Sequence, residues 1–513
     1  MKRPNAAGTV LRALAPLVQK MTELEQLALD RQAMSVVQMG RQLTEAALEA
    51  ARRAVELLLD QAARSAPTSM RCSCGGQATS DGFEHTSFVM RCGRVQLDRR
   101  RVSCDRCQHT EMPLDKAWSL PEGEDADDVR EATERLACRL GYGEGIEELE
   151  KLWGVAPKST STAQGWVVQD GGRAQQAVRQ DAQQHWDSYV EQQQAVAQGE
   201  QREVERQPGF GVVEADGVFV LTWKQGQEPR RKIGQSSATE IGQSDLQSPV
   251  SELSDGVLRH QPPSTLSQLQ GSPMGPKARS ERVRGREVCV GLVYLGEHAC
   301  ELSPGHGVLL ERRYVVELND RESFWPQLHA AAAAQGVLAR QQLVWLSDGG
   351  RYFIDQSAEL FQDQLLVPVL DIQHANQHVW ETGHKLVSDN KAVSGWVGPR
   401  IEAIKEGNSQ GMLIDLAEQR ELRKGSEQRK AIDALSGYVQ RHKHMMDYPR
   451  YRQAGYPIAS AAIESTNKRL VGRRCKQGGM IWGERGLEAI LALRAALFNP
   501  GAWTRLWPEA LAA

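Results

Sequence analysis

The sequence predicts a mixed α/β protein carrying separate helical and metal-binding segments, and three observations lead there. Apolar runs at 210–223, 288–295 and 314–318 have the alternation and turn boundaries of strands. Beyond them, a helical stretch at 325–335, an apolar run at 343–347, a short helix near 355–361 and an apolar run at 365–371 follow one another. Strands first and then alternating with helices indicate a mixed sheet. Upstream, helix-like and cysteine-rich segments have compositions of their own.

Residues 1–68 form an N-terminal helical segment. Between 18 and 64 the chain is rich in Ala, Leu, Gln and Glu, with Leu24, Leu27, Met34, Val37, Leu43, Ala47, Ala54 and Leu58 near helical spacing. One or two helices are expected, packed within the monomer more simply than against a second copy. Residues 69–115 hold five cysteines, and Val95, Leu97 and Val102 around Arg99-Arg100-Arg101 suggest two short strands, with Cys92 inside a strand. Residues 123–200 read as helical. A helix over 125–140 is broken by Gly141-Tyr142-Gly143, a second spans 146–152, and Ser159 to Thr162 supply caps for a third. Helix, short turn, helix is the outline of a helix-turn-helix DNA reader, and a plain three-helix packing unit fits as well. The main domain covers 208–500. It is interrupted by a Ser-, Gln-, Pro- and Gly-rich stretch at 233–285, expected to be a flexible insertion, and by a helical insertion at 376–452.

The chain has 513 residues, a net charge of −3, 40% hydrophobic and 25% charged residues, which suits a globular protein of several domains. No run approaches the 18 or more apolar residues of a membrane helix. Arg12 interrupts the apolar patch at 11–18 and no small-residue cleavage site follows, so a cytoplasmic protein is expected. Arg and Lys crowd 91–106 and 450–474. Such patches can hold DNA on a near-neutral protein, although on charge alone solvated faces are the preferred reading.

Nine cysteines are present; Cys138, Cys289, Cys300 and Cys475 are scattered and read as structural. Cys72-x-Cys74 and Cys104-x2-Cys107 are separated by 29 residues. Two cysteine pairs on turns can supply the tetrahedral four-thiolate shell of a structural Zn²⁺. The second pair has the standard spacing and the first is one residue short. Chance clustering of reduced thiols is the alternative, and His109 an alternative ligand. Zinc there would stabilise a small fold and take no part in catalysis.

Three carboxylates form the second constellation. Asp216 sits in an apolar strand and Asp348 just after another, each before a glycine that lets the backbone turn. Glu464 follows Pro457 and Ser460, which can open a helix. Taken singly, the two Asp-Gly pairs are turns and Glu464 with Lys468 a surface ion pair. Together they could hold two Mg²⁺ or Mn²⁺ ions about 4 Å apart, the arrangement that activates and stabilises oxygen atoms in phosphodiester chemistry. Lys468, Arg469, Arg473, Arg474 and Lys476 lie just beyond Glu464, where they could meet DNA phosphates.

These residues carry a family likeness. The run 455–494 resembles the ISKra-four family of bacterial insertion-sequence transposases. Gly455-Tyr456-Pro457-Ile458-Ala459-Ser460-Ala461-Ala462-Ile463-Glu464-Ser465 is similar to that family's Gly-x-Pro-Ile-Gly-Ser-Gly-x-x-Glu-Ser. Arg473 to Trp482 is similar to its Arg-x-Lys-x-Ser-Gly-Met-x-Trp, and Leu491-Ala492-Leu493-Arg494 fits its ending. Glu214-Ala215-Asp216-Gly217 and Ser347-Asp348-Gly349-Gly350 match its two Asp motifs, and Asp371-x2-His374 resembles a signature of related Mutator-like transposases. The likeness runs from about residue 70 to the end, leaving out 233–285. The family's two glycines before the Glu are Ala459 and Ala461 here.

The resemblance implies an RNase H-like core with Asp216, Asp348 and Glu464 as the DDE triad holding two Mg²⁺ or Mn²⁺ ions. It implies cleavage of transposon-end DNA and strand transfer into target DNA, in a nucleoid-associated bacterial protein acting as a homodimer or larger assembly. Asp371 and His374, with Lys468, Arg473, Arg474 and Lys476, would support the site or touch DNA; for His374 a hydrogen-bonded core histidine is the competing reading. Two other functions fit the same residues: an RNase H-like nuclease or resolvase that cuts without joining, and a non-catalytic, domesticated DNA-binding protein.

Overall fold

The computed structural model describes residues 6–30, 34–199, 205–225, 282–303 and 306–508. Most of the expected flexible insertion, 233–281, lies outside these residues. Its last three positions, 283–285, belong to a strand instead.

Helices Ala6–Leu29 and Val36–Ser65 pack as a hairpin. The second opens with a capping box: Gln38 N–H donates to the Ser35 hydroxyl, and Ser35 N–H donates to the Gln38 side chain. Its Leu59 and Ala63 pack on a small antiparallel sheet through Phe88, Val95 and Leu97. That sheet runs in the order β1 (Ser69–Arg71), β2 (Gln77–Met90), β3 (Gly93–Cys104) and β4 (Thr110–Glu111).

Two expectations are corrected here. The arginine run does not separate two short strands but lies within one long strand, and Cys92 sits in the turn before it. The charges are tolerated because each has a local partner. Arg99 pairs with Glu84 at 2.9 Å and with Asp115, Arg101 with Asp81 at 2.9 Å, and Arg100 lies over the Phe83 ring. A run so engaged offers little free charge to a phosphate.

Helices Asp127–Ala137, Tyr142–Trp153 and Thr160–Ala197 follow. Gly154, at φ 69°, ends the second in the left-handed conformation that a glycine adopts without a Cβ penalty. Ser159 caps the third by accepting from Thr162 N–H at 3.2 Å. This third helix is 38 residues long and reaches the main sheet. Arg130 pairs with buried Asp170 near its start at 2.5 Å, and farther along Gln175 and Arg179 donate to buried Glu317.

The main sheet contains β5 (Gln207–Trp223), β6 (Val283–Leu295), β9 (Arg313–Leu318), β10 (Arg340–Ser347) and β11 (Leu365–Leu370). Between β6 and β9 a hairpin of β7 (Ala299–Ser303) and β8 (His306–Leu309) stands apart, which the apolar pattern did not reveal. The order is β11-β10-β5-β6-β9, with β5, β10 and β11 parallel and β6 antiparallel to its neighbours β5 and β9. Successive side chains alternate between two cores. Val212, Leu292, Val344 and Val369 face one. Val213, Val293, Leu343 and Trp345 face the other, under Phe324 and Leu328 of helix Arg321–Ala334. The first core is covered by helices Ile372–Leu386, Ala461–Asn467 and Glu484–Phe498. The expected helical insertion is helical throughout, ending in helices Ser426–His442 and Tyr448–Gln453.

Candidate active site and metal centre

The four clustered cysteines meet. Cys72 and Cys74 occupy the turn between β1 and β2, Cys104 ends β3, and Cys107 lies in the turn before β4. Their sulfurs all lie within 4.8 Å of one another, with Cys72 to Cys107 at 3.5 Å and Cys74 to Cys104 at 3.6 Å. The Zn–S bond of about 2.3 Å implies tetrahedral S···S edges of about 3.8 Å, so the set fits a zinc ion. The short first pair closes because Gly75 turns at φ 83° and Gly76 leaves no space for a Cβ, which would come 3.0 Å from Cys104 Sγ.

Backbone N–H groups of Gly76 and Arg106 donate to Cys74 and Cys104 sulfurs at 3.4 Å. The Cys74 N–H and then the Cys107 thiol draw Cys72 down to about 6. Cys74, favoured as a thiolate by Gly76 N–H, is pushed up to about 12 by the thiols around it. Four sulfurs this close resist joint ionisation without a cation between them. His109 is exposed and outside the set; its carbonyl accepts from Cys104 N–H at 2.9 Å.

The sheet brings the two aspartates near one another. β10 lies parallel beside β5, and the pairing ends with Leu346 opposite Glu214. Asp216 follows two residues later within β5, on the face of Val212 and the first core, and Asp348 follows just past the end of β10, where its charge bears on Asp216. Asp216 lies within β5, which continues to Trp223, and is half-buried; Asp348 follows β10 and is exposed.

Glu464 is exposed on helix Ala461–Asn467, and this helix packs against β5 and β6. One turn on, Asn467 donates to Asp216 Oδ2 at 2.6 Å, and Asp216 Oδ1 accepts from Gly217 N–H at 2.7 Å. Burial raises the Asp216 carboxyl above the usual carboxylate range; Gly217 N–H opposes this, while the charges of Asp348 and Glu464 add to it. Three carboxylates whose charges bear on one half-buried member suit divalent cations and oppose their own ionisation without them. Among the described residues, three or more ligand atoms lie within 4.8 Å of one another only in the cysteine set. Asp216, Asp348 and Glu464 do not form such a set.

Asp371 is buried next to the end of β10. Its carboxylate accepts from Gln373 N–H at 2.7 Å and from the Ser460 hydroxyl, and its N–H donates to the Ser347 carbonyl at 2.8 Å. It joins the end of β10 to the turn before the Glu464 helix and is not available to DNA, which narrows its expected role to support. Ser460 precedes the Glu464 helix as anticipated, but its hydroxyl serves Asp371 and does not cap. His374 is half-buried, edge-on to His378 with ring centroids 5.1 Å apart. His442 reaches the Asp348 turn, its ring nitrogens 2.9 Å from the Tyr438 carbonyl and 3.1 Å from the Gly349 carbonyl.

The basic residues beyond Glu464 divide. Lys468, Arg473 and Lys476 are exposed. Arg474 is only 1% exposed, which corrects its expected contact with DNA. Its guanidinium lies over Tyr142 and Trp482 and donates to the Ala137 carbonyl at 2.7 Å. Buried Arg494 donates to the Cys138 carbonyl and, at 2.6 Å, to that of Leu470. Both cations sit at the C-terminal end of helix Asp127–Ala137, where the helix dipole favours them. Leu470 belongs to a π-turn, Lys468–Gly472, continuous with the Glu464 helix. Ala459 is half-buried and Ala461 exposed, and neither has a positive φ, so their methyl groups are accommodated.

Glu214 is the residue whose role the sequence did not disclose. It is fully buried two positions before Asp216 and accepts from Tyr294 hydroxyl at 2.9 Å and from Ile463 N–H at 3.3 Å. Burial pushes its carboxyl up to about 8 against both hydrogen bonds. Its place within an apolar strand, where a charge is costly, was the available signal.

No family model matches the chain, and no curated protein matches it. Among the described residues, no helix is long and apolar enough to cross a membrane.

Proposed function

We propose that the chain is a DDE transposase with an RNase H-like core, in which Asp216, Asp348 and Glu464 hold two Mg²⁺ or Mn²⁺ ions. The observation that carries this reading is the coupling of three carboxylates from distant parts of the chain: Asp216 on β5, Asp348 just past the end of the neighbouring β10, and Glu464 on a helix bonded to Asp216 through Asn467. Sheet topology supports it. Numbered along the chain, the strands stand 3-2-1-4-5, and the first and fourth bear the aspartates.

Bound ions would supply charge stabilisation for the attacking and leaving oxygens of a phosphodiester. The chain's own residues would hold the carboxylates in place: Asp371 and His442 at the Asp348 turn, Asn467 between Asp216 and the Glu464 helix. Exposed Lys468, Arg473 and Lys476 would attract the DNA backbone. The four-cysteine centre would hold Zn²⁺ as a structural ion apart from this chemistry. Two transposon ends have to meet for joining, so the working form would be a dimer or larger.

Purified protein incubated with labelled DNA carrying the gene's own flanks and Mg²⁺ or Mn²⁺, beside Glu464→Gln, tests this. Cleaved and joined products from wild type alone are expected. Cleavage without joining would establish a nuclease instead, and binding without products from either protein a DNA-binding protein.

A further inference from the structure

We infer that Glu214 is a positioning residue: it caps the Glu464 helix from the neighbouring strand and so sets that helix against Asp216. The inference rests on the proposed carboxylate site and deepens it. Ser460 stands at the N-cap, where its hydroxyl would ordinarily accept from the first free N–H groups of the helix. That hydroxyl instead donates to Asp371 and makes no capping bond. Glu214 supplies the missing acceptor, because Ile463 N–H, at the third position of the helix, donates to its Oε2 at 3.3 Å. The other oxygen, Oε1, accepts from Tyr294 hydroxyl on β6 at 2.9 Å, which fixes the carboxyl group in place.

The geometry of strand and helix makes this cap a ruler. Glu214 meets Ile463 and Asp216 meets Asn467, so two residues of strand are matched to four of helix. Two strand residues rise about 6.6 Å and four helix residues about 6 Å, so both bonds form with little mismatch. Glu464 lies between them. The two ties differ in one respect. Asn467 bonds to an oxygen of a proposed ion ligand and competes with any ion for it. Glu214 bonds to a backbone N–H and to a tyrosine, and neither bond involves Asp216, Asp348 or Glu464. The Glu214 tie can therefore persist when the carboxylates turn to a cation.

Zinc-loaded wild type is compared with Glu214→Gln, Glu214→Leu, Tyr294→Phe and the site control Asp216→Asn, all full length. Hydrogen exchange of peptides covering 460–470, without added divalent ions, reads the cap itself. Leu at 214 leaves Ile463 N–H unsatisfied, and protection there should fall by roughly tenfold or more. Gln keeps an acceptor and should restore most of it. Mn²⁺ binding followed by electron paramagnetic resonance reads the consequence: Glu214→Leu should weaken it by about 10-fold or more, as loss of an outer supporting residue does, with Gln near wild type. Should Glu214→Leu fail to fold, Tyr294→Phe, which removes one hydroxyl, should show the same two changes at smaller size. Unaltered exchange in 460–470 in the folded variants overturns the inference. Absence of Mn²⁺ binding that depends on Asp216 in wild type overturns the metal-site reading instead, and the exchange result still decides the cap.

Discussion

The Asn467 side-chain amide donates to Asp216 Oδ2 at 2.6 Å, joining a helix near the end of the chain to the first strand of the main sheet. This bond supports the charged form of a carboxyl that burial and two neighbouring carboxylates disfavour. Asn467→Ala removes it and leaves Gly217 N–H as the remaining donor to Asp216. Without divalent ions the variant should lose about 1.5–3 kcal/mol of stability in a denaturant titration, the usual contribution of a hydrogen bond to a charged group. Mn²⁺ should then raise its thermal midpoint more than it raises that of wild type. Equal midpoints and equal responses would mean that the bond has no energetic role.

The cysteine centre makes a separate prediction. One zinc per chain is expected by metal analysis, since the four sulfurs make one tetrahedral set. Cys104 is the buried member of this set, so Cys104→Ser should lose the ion and loosen β1 to β4. A thiol reagent should reach exposed Cys74 and Cys107 only slowly until a chelator is added. Rapid labelling of both in protein with a full complement of zinc would place the ion elsewhere.

Those two sites differ in how far the sequence reveals them. The cysteines are legible because each pair has the short spacing of a metal-binding turn; that the two pairs meet depends on the β2–β3 hairpin, which sets Cys104 opposite Ala78. Asp216 and Asp348 are legible as strand-end residues, since apolar runs mark β5 and β10. Their register is not, because a strand's sequence names its faces and not its neighbour. Arg473 and Arg474 are alike on paper; one helix step turns the first to solvent and the second under Tyr142 and Trp482. The arginines at 99–101 read as a break in β3 because their partners, Glu84, Asp81 and Asp115, come from other segments. Glu214 is hidden for the same reason, its two donors being 80 and 249 residues away.

Glu134 gives a pH dependence that can be isolated. It is fully buried on helix Asp127–Ala137, its oxygens have no hydrogen-bond partner, and Arg130 lies 3.9 Å away. Burial pushes its carboxyl up to about 8, well above the ordinary 4.5 of a glutamate. The folded state therefore keeps a proton that the unfolded chain releases. Stability falls as pH rises from about 4.5 towards 8 and levels off above that. Glu134→Gln removes this one titration while unchanged groups cancel in the comparison. The variant should match wild type near pH 5 and gain on it steadily, by on the order of a few kcal/mol at pH 8. A difference that stays constant across this range would show that Glu134 ionises normally.

Gly171 and Gly172 offer the sharpest contrast, because they are adjacent and meet opposite surroundings. Helix Thr160–Ala197 crosses helix Glu484–Phe498 at Gly171, where a Cβ would stand 2.4 Å from the Ala489 carbonyl oxygen. Backbone cannot swing aside as a side-chain tip can, so the two helices would have to separate. That separation would disturb the ties on either side, Arg130 to Asp170 and Arg179 to Glu317. Overpacking of this kind costs about 1–3 kcal/mol or more. Gly172 is exposed, with nothing within 4 Å of the same added atom. There alanine lowers the entropy of the unfolded chain and favours the helix, a gain of roughly 0.5–1 kcal/mol. Gly171→Ala should therefore lower the denaturation midpoint and Gly172→Ala raise it, in otherwise identical protein. If both substitutions stabilise, the close crossing at Ala489 is not present in solution, and the long helix does not brace the two shorter helices before it, Asp127–Ala137 and Tyr142–Trp153, against the sheet.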